Sequence, residues 1–184
     1  FEGRVVLNDI NAVFETGKTN LIESDESGPG KRFLSKIFIG LIASDSGEIL
    51  YDGRDLTSMD KHELNMLRRE MGMLFKIGLF DSMTVLENVM FPLDMFSNDT
   101  YKDRLKRAQF CLDRVNLSEA GHSILLDRGG MMKRAAIARA IALNPKYLFC
   151  DEPNPAWTQD FADYRRPDPR YHRQYKIRLS STHM

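Results

Sequence analysis

An α/β domain with a largely parallel sheet is the fold class this sequence predicts, on three observations. Segments of strand character alternate with segments of helical period along most of the chain. "KTNLIES" leads through the glycine-rich stretch "ESDESGPGKRFLSK" into Phe33, Ile37 and Leu41 at four-residue spacing, so strand, loop and helix follow in order. "KYLFCDEP" reads as a buried strand that finishes on two acids.

Taken in order, "RVVLN" and "NAVF" (residues 4 to 8 and 11 to 14) read as short strands, and "GEILYDGRDL" as a strand followed by an Asp-Gly turn. Asp60 is a candidate N-cap for "KHELNMLRRE", and the continuous apolar run "MGMLF" fits a buried parallel strand. Asp99 and Thr100 can cap a long helix whose stripe of Tyr101, Leu105, Ala108, Leu112 and Val115 points to a core. "MMKRAAIARAIAL" predicts a further helix ended by Asn144 and Pro145. After Glu152 the composition changes: residues 153 to 175 hold four of the seven prolines and show no sustained apolar period, so no helix is predicted there. "KIRLSSTHM" then reads as a strand, and no internal repeat is visible.

With 184 residues, 42% of them hydrophobic, the chain is expected to form one domain with a real core. Its 26 lysines and arginines balance 26 aspartates and glutamates, which argues against a field that recruits nucleic acid or an anionic membrane surface. Cys111 and Cys150 lie in apolar-periodic segments without CxxC spacing, against a metal or disulfide role and in keeping with a reducing cytoplasmic compartment. No charged-then-apolar leader and no run near the roughly 18 apolar residues of a membrane span is seen. A membrane role is therefore expected to come through a partner.

A glycine-rich loop between strand and helix holds polyphosphate because successive backbone N–H groups and the helix N-terminus face it, while a lysine neutralises the terminal phosphates. Gly28, Gly30 and Lys31 supply that much, but G-x-x-x-x-G-K-[ST] fails at Asp25 and Arg32. A Gly-Lys pair in an ordinary turn is the alternative. The second half of such a site is an acid at a strand end, often followed by a glutamate that activates water, and Asp151 and Glu152 stand there. Alone they also read as two solvated carboxylates. Both halves in one chain, in the right order, favour the nucleotide site.

At this point the chain resembles the nucleotide-binding domain of ABC transporters over nearly all of residues 1 to 152. "SGEILYDGRDL" resembles the family's early sheet, "GMLF" with "LFDSMTVLENVMFPL" its glutamine-loop region, "RGGMMKRAAIARAIALNPKYLFCDEP" its signature helix and Walker B strand, and "STHM" its switch-histidine strand. The second and third of these look closest to the ATPase subunit of Mla-type systems, which move phospholipids with MCE-domain proteins. The resemblance implies a P-loop NTPase of ABC type, with a mainly parallel sheet, an antiparallel β subdomain and an inserted helical subdomain. It divides one domain over 1–184 into a core with its β subdomain (1–75 and 145–184) and a helical part with the signature helix (76–144), C-terminally incomplete against the family.

Residue by residue, the resemblance places Phe1 against adenine, although a buried strand phenylalanine reads nearly as well. Ser27, Gly28, Gly30 and Lys31 would bind phosphates, Asp151 would hold Mg²⁺, Glu152 would be the general base, and His183 would contact the γ-phosphate. Gly129 and Gly130 would contact ATP held by a second copy in a head-to-tail homodimer. The segment 79 to 96 would meet a membrane permease subunit at the cytoplasmic face of the inner membrane, with an MCE-domain protein as a further partner and no nucleic acid.

The departures fall on ligand-contacting positions. Arg32 replaces the hydroxyl that binds Mg²⁺, and Lys76 stands where the family has glutamine. At about 4 Å and an effective dielectric near 20, each like-charge pair costs about 4 kcal/mol per unit charge product, so Mg²⁺ is expected to bind weakly. Pro29 removes an N–H from the loop, Asp25 brings negative charge towards phosphates, Arg128 takes the signature serine's place, and "PAWTQ" does not resemble the D-loop. Three readings stay open: a degenerate domain serving as a structural partner, an ordinary ATPase whose chain differs from these residues at the discordant positions, and an ABC-type ATPase without a transporter.

Overall fold

The computed structural model describes residues 5–15, 20, 22, 30–74, 79–124 and 130–150. Residues 5–15 form no strand: Asp9 turns the chain through a left-handed φ of 49°, and Val5 and Val13 are exposed. The two short strands expected there are thus corrected, since a β-branched residue stabilises a strand only when a neighbour covers it. The strand expected over "KTNLIES" lies outside the described residues apart from Asn20 and Ile22, as does everything after Cys150.

Helix α1 (Gly30–Phe38) follows. It closes in a Schellman motif, in which the Leu41 N–H donates to the Lys36 carbonyl (2.9 Å) and the Gly40 N–H to that of Ile37 (2.9 Å). Gly40 sits at φ 67°, a backbone conformation that favours glycine, and a Cβ there would also press on Leu64 Cδ1 at 2.9 Å. The helix therefore ends before Leu41. That residue is exposed, and Ile39 is the buried one, which corrects the end of the predicted stripe.

"LYDGRD" folds as a hairpin, β1 (Leu50–Tyr51) and β2 (Arg54–Asp55), around a two-residue turn with φ 50° at Asp52 and 81° at Gly53. Positive φ at both central residues matches the twist of the flanking strands. Asp60 caps α2 (Lys61–Arg69) in a capping box, accepting from the Glu63 N–H while Glu63 accepts from the Asp60 N–H. The hairpin is tied to the rest of the domain by a polar network. Arg54 forks onto Glu70 (3.1 and 2.8 Å), and Lys146 reaches the same carboxylate at 3.0 Å. The Tyr147 hydroxyl donates to Asp52, and its ring meets Tyr51 edge-on with centroids 5.0 Å apart. Burial works against the charged form of Glu70, but the hydrogen bonds from Arg54 and Lys146 outweigh it and hold its carboxyl below the ordinary range.

Strands β3 (Met71–Leu74) and β4 (Tyr147–Cys150) pair in parallel, Met71 opposite Tyr147 through Leu74 opposite Cys150, as their apolar runs predict. The crossover between them carries α3 (Val85–Phe96), α4 (Tyr101–Arg114) and α5 (Gly130–Ala140). Helix α3 has no clean apolar period in the sequence and contains Pro92, yet Thr84 and Glu87 cap it in a second capping box. Thr100 caps α4 as expected, and Ala108, Leu112 and Val115 of its stripe are fully buried while Tyr101 is exposed. Helix α5 stops at Ala140, before the predicted Asn144, where the chain turns off at φ 54°.

Two apolar clusters result. One joins α3, α4 and α5 to Leu74, Leu148 and Cys150; the other joins Ile39, Tyr51, Leu56 and Leu67 to Met71 and Tyr147. Gly72 lets the sheet approach α5, because a Cβ there would strike the Ala140 carbonyl oxygen.

Candidate functional site

In an open α/β sheet the ligand crevice lies outside the carboxyl ends of the strands. Here two parallel strands finish together, β3 at Leu74 and β4 at Cys150. The chain positions that follow are Lys76, two residues past β3, and Asp151, directly after β4. Helix α1 supplies the third component. Its C-terminal end packs beside the beginnings of both strands, where Ile39 shares a cluster with Met71 and Tyr147.

Of the predicted site residues, Gly30 opens α1, Lys31 and Arg32 are helical in its first turn, and Gly130 opens α5. No acid occupies the first turn of α1, which leaves the positive end of its dipole uncompensated by its own side chains. Phe1, Ser27, Gly28, Lys76, Gly129, Asp151, Glu152 and His183 lie outside the described residues, as do Asp25, Pro29 and Arg128.

Gly30 and Gly130 differ in what surrounds them. A Cβ on Gly30 would lie 3.5 Å from Leu7 Cδ2, an ordinary contact, whereas a Cβ on Gly130 would meet nothing within 4 Å among the described residues. Gly130 also lacks a positive φ, so neither space nor backbone conformation in the described fold demands glycine at that helix start.

Residues 80–84 form a loop held by a residue that carries no motif in the sequence. Asn88 of α3 is fully buried, and its carboxamide accepts from the Phe80 N–H (2.8 Å) and donates to the carbonyls of Phe80 (3.1 Å), Met83 (3.3 Å) and Thr84 (3.0 Å). Asn88 thereby fixes residues 80–84, which follow the position of Lys76. An asparagine inside "VLENVMFPL", flanked by apolar residues on a capped helix, was the available signal. The start of α3, directly after this loop, is tied to residues 121–123, since the Val85 N–H donates to the Ser123 carbonyl (3.0 Å) and the Leu86 N–H to that of Gly121 (2.9 Å).

Phe80, Phe91 and Met95 are exposed, with the two rings 4.7 Å apart and the Arg139 guanidinium 5.7 Å from the Phe80 centroid. Burial lowers the pKa of Arg139, yet an arginine remains a cation at any working pH. Cys111 and Cys150 are buried and form no disulfide, and no metal-holding group of side chains exists among the described residues. Burial pushes the Cys150 thiol up, keeping it neutral.

Lys31 in the first turn of α1, together with two parallel strands of which the second is followed in sequence by Asp151, fits an α/β nucleotide-binding architecture of the P-loop kind. More narrowly, the chain belongs to the ABC transporter family, whose sequence model matches residues 7–154. Among curated proteins it is similar to the methionine import ATP-binding protein MetN of Photobacterium profundum, 39% identical over 168 residues, which cover 87% of this chain and 48% of that protein. It is also similar to the intermembrane phospholipid transport system ATP-binding protein MlaF of Haemophilus influenzae, 36% identical over 154 residues, 82% of this chain and 57% of that protein. The chain thus spans about half the length of the curated relatives it matches. Its fold is shared with the ATP-binding cassette MJ0796, solved as a dimer in a post-hydrolysis state bound to ADP and Pi, with a TM-score of 0.80, 26% identity, and coverage of 97% of this chain and 80% of that one. The ABC-type P-loop fold expected from the sequence is therefore the observed one, and the likeness to the ATPase of Mla-type systems has a counterpart among the relatives.

Proposed function

We propose that this chain is the ATP-binding subunit of an ABC transporter that works as a homodimer and couples nucleotide to a membrane permease. One observation carries the reading: the family match over residues 7–154 takes in Lys31 in the first turn of α1 and Asp151 directly after β4. Gly28, Gly30, Lys31 and the α1 N-terminus would hold the phosphates, with Ser27 beside them and Phe1 against the base. Glu152 would take the proton from the attacking water, His183 would contact the terminal phosphate, and Gly129 and Gly130 would face the nucleotide held by the second copy. The dimeric cassette MJ0796 supports that last assignment, as does the absence of any described neighbour within 4 Å of a Cβ on Gly130.

The donor set suits polyphosphate better than a divalent metal. Asp151 is one carboxylate, while Arg32 and Lys76 put two cations at positions where the family resemblance expects neutral oxygen donors. Mg²⁺ therefore fits these residues poorly, and we expect nucleotide binding that depends little on Mg²⁺ and a low turnover. The exposed Phe80, Phe91 and Met95 within 79–96 give the permease contact a surface of suitable chemistry. No described helix is long and apolar enough to cross a membrane, so the permease would hold the chain at the cytoplasmic face. Phospholipid is the transported class we favour, with an MCE-domain protein as a further partner, because "LFDSMTVLENVMFPL" and "GGMMKRAAIARAIA" resemble the Mla-type ATPase; methionine import by the similar MetN is the competing class. We keep the division at 75 and 145 as a proposal: one apolar cluster centres on α3 to α5 but also takes in Leu74, Leu148 and Cys150 of the sheet, and the other centres on Ile39, the hairpin and α2.

The second reading, a degenerate subunit acting as a structural partner, is favoured by Asp25, Pro29, Arg32, Lys76 and Arg128 together. Co-purification with a permease and ATP turnover abolished by Glu152→Gln support the active subunit; co-purification without turnover supports the degenerate one. Recovery of nucleic acid in place of a permease would contradict both. Peptide mass mapping of residues 21–36 and 153–175 separates either from an ordinary ATPase that lacks these departures.

A further inference from the structure

Helices α4 and α5 are fastened to each other at both ends by arginines pointing in opposite directions. Arg107 of α4 is buried, with 6% of its surface exposed, and donates through Nε to the Ala142 carbonyl (2.9 Å) and through Nη2 to that of Ile141 (2.9 Å). Its guanidinium also lies 5.3 Å from the centroid of Phe110. Arg134 of α5 donates from Nη1 to the carbonyls of Asn116 (3.2 Å) and Val115 (3.5 Å) at the end of α4. From 107 to 115 along α4 the contacts run from 141 back to 134 along α5, so the helices are antiparallel. Each chain turns off just beyond through a left-handed asparagine, Asn116 at φ 53° and Asn144 at φ 54°. The carbonyls at the end of a helix carry its negative dipole end, so a cation with several donors suits both places, even though the Ile141 carbonyl also accepts from the Asn144 N–H (3.0 Å).

A rigid guanidinium fork on two successive carbonyls restricts rotation of a helix about its axis as well as sliding along it. Ile141 lies about 16 Å along the axis from Gly130, at about 1.5 Å per residue. Whatever fixes the far end of so short a helix fixes the place at which its first turn stands.

We propose that Arg107 is a positioning residue for the start of α5: together with Arg134 it forms a reciprocal clamp that sets where Gly130 is presented. The consequence for nucleotide rests on the proposed function, in which Gly130 faces the ATP of a second copy. Arg107 is remote in sequence from every residue given a role there.

Distance measurement between spin labels on the exposed helix sites Lys102 and Lys133 tests the clamp in the 184-residue chain, because Cys111 and Cys150 are buried and do not compete for label. Arg107→Met is expected to broaden the distance distribution at least twofold, and Arg107→Lys, which keeps the charge without the fork, to recover part of the original width. A distribution of parental width in Arg107→Met, alongside a lowered urea midpoint, would show that Arg107 merely stabilises the fold and would overturn the proposal. With a non-hydrolysable ATP analogue, Arg107→Met is expected to bind nucleotide within twofold of the parent but to self-associate at least tenfold more weakly in sedimentation. Equal self-association despite a broadened distribution would overturn the link from clamp to second copy. If the parent chain itself fails to self-associate with the analogue, the homodimer reading fails, and the label distances still decide the clamp.

Discussion

Gly72→Ala adds one methyl group to the middle of the parallel pair, and the structure fixes what that methyl meets. A Cβ there would strike the Ala140 carbonyl oxygen and come 2.8 Å from both Leu148 Cδ1 and Pro145 Cγ. The leucine can rotate, but the carbonyl belongs to the end of α5 and the ring to a proline, and neither can swing aside without moving backbone. Overpacking a core costs about 1–3 kcal/mol, and two rigid neighbours put this site at the top of that range, about 3 kcal/mol. For a domain of this size a loss of 1 kcal/mol lowers the melting temperature by about 2–4 °C, so a drop of about 6–12 °C is expected. Urea unfolding followed by circular dichroism reads the loss as a lower midpoint at unchanged slope. A variant within about 0.5 kcal/mol of the parent, inside the scatter of ordinary surface substitutions, would refute the close approach of α5 to β3.

Gly130→Ala should do the opposite: with no described neighbour within 4 Å of a Cβ and no positive φ, alanine at a helix start is expected to leave stability unchanged or raise it by up to about 1 kcal/mol, while nucleotide-dependent self-association weakens. Asn88→Ala removes four hydrogen bonds from residues 80–84 and is expected to cost about 2–3 kcal/mol, with amide exchange accelerating at Phe80 beyond the global loss. Tyr147 should resist ionisation, because burial, with the hydrogen bond to Asp52 adding to it, raises its pKa to about 12. The folded state prefers the neutral phenol, so this contribution is complete below pH 10 and is lost as pH rises through about 12. Absorbance titration should show a late-ionising tyrosine in the parent that is lost in Tyr147→Phe.

Much of the architecture was legible because local signals agreed with one another. "YDGRD" announced its turn through Asp-Gly, Asp60 its helix through a cap, and "MGML" and "YLFC" their burial through unbroken apolar runs. Helix α3 was not legible, since apolar residues cover most of its circumference and Pro92 lies inside it, so that its caps at Thr84 and Glu87 were the better guide. Residues 4–8 and 11–14 misled in the opposite direction, because β-branched composition signals a strand only where a partner exists. At the site, the motif positions were readable as chemistry: a lysine after glycine and an acid after a strand. The supporting side chains were not, because Asn88, Arg107 and Arg134 act on backbone carbonyls and amides far along the chain, and such contacts leave no spacing pattern.

The central claim is that the loop before α1 and the first turn of that helix bind nucleotide phosphates through Lys31. Titration of the chain and of Lys31→Ala with a fluorescent ATP analogue, with and without Mg²⁺, tests it most directly. The parent is expected to bind with little dependence on the metal, and Lys31→Ala to bind at least tenfold more weakly while unfolding at the same urea concentration. Full nucleotide affinity in Lys31→Ala would contradict the account.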